Sequence, residues 1–148
     1  MKNETRIREN LSKSLHVKTE KATFYHLTES IKTSVDFKLN LGDINFLFEV
    51  DSNNVAKIIF GQYLLLNRAK DLPKNPFFIV IHCYKKYNVE RTIKHLNYAR
   101  VAFACSIPFA VLTENEWIKN TQNKSQMELA HYLISLAKDN ISGDQNSL

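Results

Sequence analysis

The chain has 148 residues, 44% hydrophobic and 24% charged, which is the balance of one ordinary folded domain that needs neither disulfide nor metal to bury a core. Its formal net charge of +5 comes from 20 Lys plus Arg against 15 Asp plus Glu, dispersed without a long basic run, so a polyanionic partner is permitted rather than specified. No apolar stretch approaches the roughly 18 residues of a membrane span, and Met1-Lys2-Asn3-Glu4-Thr5-Arg6 lacks the apolar region of a secretory signal. No membrane association is expected, and Cys83 and Cys105, each inside an apolar run, read as buried thiols of a cytoplasmic protein.

In chain order, Ile7, Leu11 and Leu15 recur every fourth position and predict an amphipathic helix from Asn3 to about His16. Lys18 to Lys32 continues as helix through Phe24, Leu27 and Ile31, although Thr23-Phe24-Tyr25 also suits a strand. From Ser34 the period changes to two. Val35, Phe37, Leu39 and Leu41, then Ile44, Phe46, Phe48 and Val50, alternate with a largely polar set, and Gly42-Asp43 stands between them as a two-residue turn. An antiparallel hairpin over about 34–51 follows, with Asp36 opposite Glu49, Lys38 opposite Leu47 and Asn40 opposite Asn45.

Beyond it, Ser52-Asn53-Asn54 offers caps for a helix that ends before Pro73, and Phe77 to Ile81 is an apolar run of strand length. A helix from about Val89 to Ala104 turns Ile93, Leu96 and Phe103 inward, Phe109 to Leu112 is a second buried strand, and Ser125-Gln126-Met127-Glu128 is a capping box opening a helix to about Lys138. The expectation is a single α/β domain over 1–138, its hairpin feeding two right-handed crossovers in one sheet with helices on both faces. Residues 139–148 are polar and read as a disordered tail.

The hairpin carries the chemistry. Two carboxylates directly opposite on one face of an antiparallel pair have β-carbons about 4.5–5.5 Å apart, where like charges repel. A divalent cation relieves that repulsion, and Asp36, Glu49, a neighbouring backbone carbonyl and waters would make a shell suited to Mg²⁺ or Mn²⁺. Asp51 projects from the same face as Glu49. A solvated sheet face with Lys38 neutralising part of the charge accounts for the same residues without any ligand.

Val35-Asp36, followed after eleven residues by Phe48-Glu49-Val50-Asp51, resembles the half-motifs of the PD-(D/E)xK nuclease superfamily. Asn3-Glu4-Thr5-Arg6-Ile7-Arg8 is similar to that family's amino-terminal helix. Ala110-Val111-Leu112-Thr113-Glu114-Asn115-Glu116-Trp117 is similar to a stretch in nuclease domains of type I restriction motor subunits. The resemblance implies a restriction-endonuclease-like mixed central sheet and a magnesium-dependent endonuclease, a hydrolase cutting DNA, in a homodimer or a larger restriction-type assembly. It also implies Asp36, Glu49 and the backbone of Val50 as metal ligands, with Glu4 assisting.

Asp51 stands where the family has Lys, a residue that positions the attacking water and stabilises charge at the scissile phosphate. Lys38, or Lys57 in the following helix, is the candidate substitute, and a catalytically degenerate module that binds DNA or a protein is the alternative reading. Gln62 fits a polar residue facing the site, and Lys85 and Lys86 within Tyr84-Lys85-Lys86-Tyr87 could touch phosphates. Trp117 reads as a core or edge anchor, and the five His show no metal-ligand spacing.

Overall fold

The computed structural model describes residues 2–21, 24–53, 55–84 and 86–142. The first helix, α1 (Lys2–Leu15), buries Ile7, Leu11 and Leu15, as their spacing predicts. Burying each contributes about 1.5–3 kcal/mol, so the apolar stripe is what docks this otherwise polar helix.

The helix expected over 18–32 does not form. The chain instead makes β1 (Glu20–Lys21) and a small antiparallel hairpin of β2 (Phe24–His26) and β3 (Lys32–Ser34). Phe24 and Ile31, assigned to a helical stripe, are exposed, while Tyr25 is buried. Thr28 Oγ1 accepts the N–H groups of Ser30 and Ile31, a local turn that competes with helix for those donors. His26 closes the arrangement, its N–H and ring Nδ1 bonding the Asp71 carboxylate at 2.6 and 2.9 Å.

The main hairpin pairs β4 (Phe37–Leu41) with β5 (Ile44–Asp51), in register from Leu41 opposite Ile44 to Phe37 opposite Phe48. Gly42 turns the corner at φ +64°, a left-handed conformation that costs glycine least. The ladder ends at Phe37, so Asp36 is not a strand partner of Glu49. Its N–H donates to Phe48 O at 2.9 Å as the chain leaves the pairing.

The chain continues through α2 (Ala56–Leu66), β6 (Pro76–His82), α3 (Val89–Ala102), β7 (Phe109–Thr113), α4 (Glu114–Thr121) and α5 (Gln126–Ser142). The result is a mixed five-stranded sheet in the order β1-β4-β5-β6-β7, with β5, β6 and β7 mutually parallel. Alternation divides its side chains. Leu47, Phe78, Val80 and Val111 pack beneath α2 and α3, whereas Phe46, Phe48, Ile79 and Leu112 pack with α1, α4 and α5. Trp117 of α4 is fully buried edge-on against Phe48, the core anchor that the sequence suggests.

Several boundaries differ from expectation. Helix α2 begins after Val55, with no side-chain cap bond. Ser52 Oγ instead accepts from Asn3 Nδ2, Asn53 N–H is taken by Asp51, and Asn54 lies outside the described residues. Phe103 follows α3 and is exposed rather than inward. Helix α4 has no counterpart in the sequence reading, which treated its residues as a motif. Thr113 caps it, accepting from Glu116 N–H. The capping box at Ser125 and Glu128 forms with both reciprocal bonds.

Residues 139–142, expected to be tail, complete α5, because Asn140 is held in place. Its Oδ1 accepts the N–H of Val111 on edge strand β7 at 2.8 Å, and its backbone carbonyl accepts from Asn97 Nδ2. A donor that would otherwise be open on the sheet edge is thereby covered. The remainder of the expected tail, 143–148, lies outside the described residues.

Candidate functional site

Leaving the ladder directs Asp36 across the end of β5. Asp36 Oδ2 accepts the N–H of Val50 at 2.7 Å. A strand residue's N–H and C=O project to the same side, so the Val50 carbonyl also faces Asp36. Glu49 extends beneath α2, where Gln62 Nε2 donates to both Glu49 Oε2 at 2.8 Å and Ser34 O at 2.6 Å. That amide fastens the small hairpin's last residue and the acidic strand to one side chain.

Both carboxyls are pushed upward. Burial pushes Glu49 up to about 8, with the Asp36 charge adding to the rise and Gln62 opposing it. Burial likewise raises Asp36, opposed by the Val50 hydrogen bond and helped by the charges of Glu4 and Asp51. Glu4 thus reaches the margin of the pair from α1, while making a 3.5 Å ion pair with Arg8 one turn along.

Asp51 turns elsewhere. It is the register partner of His82 across the parallel β5/β6 ladder, and its Oδ2 lies 3.0 Å from His82 Nδ1. Its Oδ1 accepts Asn53 N–H at 3.0 Å. His82 is fully buried, its Nε2 is 2.9 Å from Thr92 Oγ1, and its ring lies 4.1 Å from that of Tyr87, whose hydroxyl meets the same Thr92 oxygen. Sequence reasoning assigned His82 no role. The signal for it is a register between non-adjacent segments, which no local spacing carries.

The cations fall away from the acid pair. Lys38 makes a 3.2 Å bridge with Glu20 on β1. Lys57 is exposed and, five residues before Gln62, stands about 140° around α2 from it. Lys86 is exposed in the turn after β6, and Lys85 lies outside the described residues.

At the carboxyl ends of β6 and β7 lies a cleft of about 260 Å³, whose lining includes Arg6, His82, Cys83, Tyr84 and Glu114. Arg6 grips Glu114 through two 2.6 Å hydrogen bonds across it. Cys83, expected to be buried, is partly exposed here. Burial and the neighbouring Glu114 push its thiol up to about 12, so it is no thiolate nucleophile.

The donor set at Asp36 and Glu49 fits a hydrated Mg²⁺, which takes one or two carboxylates and keeps several waters. Among the described residues, no three His, Cys, Asp or Glu form a group that could hold a metal ion. No protein-family model and no curated protein sequence matches the chain. No helix among the described residues is long and apolar enough to cross a membrane.

Proposed function

We propose that the protein is a divalent-metal-dependent nuclease of restriction-endonuclease-like fold that hydrolyses DNA phosphodiester bonds. The observation that carries this reading is the half-buried carboxyl pair of Glu49 on β5 and Asp36 just before β4, its Oδ2 bonded to Val50 N–H, beside a hairpin that feeds a parallel strand through α2. Burial and like charge make the ionised pair costly, and a divalent cation offsets both penalties. When bound, Mg²⁺ supplies a polarised water and charge stabilisation at the phosphate. Asp36 and Glu49 would hold the ion, the Val50 N–H fixes one carboxylate, and Gln62 fixes the other. In the proposed reaction water adds to phosphorus, one P–O ester bond breaks, and the departing oxygen takes a proton.

A second reading, a degenerate module of the same fold that binds DNA or a protein, is favoured by one observation. The carboxylate in the position of the motif Lys is committed to His82, and Lys38 is committed to Glu20. Supercoiled plasmid incubated with Mg²⁺ or Mn²⁺ separates the two. Cleavage by the wild type that falls at least a hundredfold in both Asp36→Ala and Glu49→Ala supports the nuclease. Cleavage indifferent to both changes refutes it, and Mg²⁺ binding without cleavage selects the degenerate module.

A further inference from the structure

The outer surface of α2 and α3 carries a group of aromatic side chains. Phe60 of α2 meets His95, Tyr98 and Phe103, with ring centroids 6.3, 6.4 and 6.1 Å away. Tyr98 and Phe103 also touch each other edge-on. Tyr98 is 53% and Phe103 42% exposed, so a good part of this aromatic surface faces solvent. Between the helices it forms an open hollow of about 500 Å³, lined by Lys57, Phe60, Lys94, His95 and Tyr98. His95 Nδ1 is already engaged with Arg91 O at 2.7 Å, leaving a mostly apolar floor.

The charge around this floor is predominantly positive. Lys57 and Lys94 flank it, Arg91 and Arg68 are exposed on the same two helices and the turn after α2, and Arg68 reaches over to the Phe103 carbonyl at 2.6 Å. Against these, α2 carries no acidic residue and α3 carries only Glu90, in its first turn. A second copy of this face would bring lysines against lysines. A nucleobase stacked on these rings is the rival occupant, and the test below separates it. An apolar side chain with acidic neighbours satisfies floor and rim together.

We propose that this hollow docks an acidic protein segment that inserts one bulky apolar side chain between Lys57 and Lys94. The surface lies on the side of α2 away from Gln62 and is independent of the carboxyl pair.

The test uses the full chain and a pool of labelled nonapeptides with a central Leu, Phe or Trp between Asp and Glu residues. Fluorescence anisotropy should show binding that weakens at least tenfold when the centre is Ala or the flanks are Lys. The double variant Lys57→Glu, Lys94→Glu should lose binding at least tenfold with an unchanged melting temperature, because both residues are exposed, whereas Asp36→Ala should bind like the wild type. No binding by the wild type, or equal binding by the charge-reversed variant, overturns the proposal. So does a twelve-nucleotide DNA strand that binds through these lysines when the peptides do not, or a dimer that Tyr98→Asp dissociates.

Discussion

Asp51 and His82 face each other across the parallel ladder at 3.0 Å, both buried, and His82 is tied onward to Thr92 at 2.9 Å. Removing the imidazole takes one neighbour from a buried carboxylate and empties a fully buried site, a change that costs about 1–3 kcal/mol. His82→Ala should therefore lower the urea midpoint sharply, and His82→Ala combined with Asp51→Asn should recover part of the loss. A single variant within about 0.5 kcal/mol of wild type, the range of ordinary surface changes, would show that the contact is incidental.

Glu49 gives the fold a pH dependence of definite sign. A carboxyl at about 8 when folded and near 4.5 when unfolded favours folding in its protonated form. That contribution is full below pH 4.5, declines through the interval up to about 8 and is gone above it. Denaturant titrations across pH 4–9 should show stability falling over this window, and Glu49→Gln should flatten the fall. An unchanged slope in that variant would assign the dependence to another group.

Mg²⁺ or Mn²⁺ should raise the melting temperature of the wild type, because the cation relieves repulsion present only in the folded pair. The increment should grow from pH 6 to pH 8.5, as Glu49 gives up its proton. Differential scanning calorimetry of wild type and Asp36→Ala decides it: equal metal responses remove this pair as the seat.

Gln62 opposes the rise of Glu49 by donating to its carboxylate. Gln62→Leu should push the Glu49 titration upward, read directly from its side-chain carbon shift by NMR. A downward movement would mean that the amide does not stabilise the ionised form.

Asn140→Ala should lose the cover on Val111 N–H, at a cost of about 1–2 kcal/mol. Hydrogen exchange at that one amide is the sharper readout, since the rest of β7 keeps its ladder to β6.

The hairpin was legible because a period of two over Val35 to Val50 and one turn glycine fix both face and register. The parallel strands were legible as apolar runs. What the residues could not show was the end of the ladder at Phe37, since Asp36 leaves it for a hydrogen bond to Val50 that no alternation encodes. The region 18–32 misled because helical spacing of Phe24, Leu27 and Ile31 coincided with a Thr28 turn that closes a local hairpin, while Glu20 and Lys21 pair with β4. At the site, Glu49 meets Gln62 and Asp36 meets Val50 rather than facing Glu49, and the fate of Asp51 depended on a residue 31 positions away in the chain, at a register set only by packing.

Arg6 and Glu114, joined by two 2.6 Å bonds, are 108 residues apart in the chain. During synthesis, then, the first helix emerges long before the partner that fastens it, and its apolar stripe has to wait for β7 and α4. Contacts of such separation carry a large loop-closure cost, so a late seating of α1, and with it of Glu4 near Asp36, is the expectation. The acidic hairpin would be assembled first and its amino-terminal cover added afterwards, leaving an interval in which the pair is open to solvent and ions.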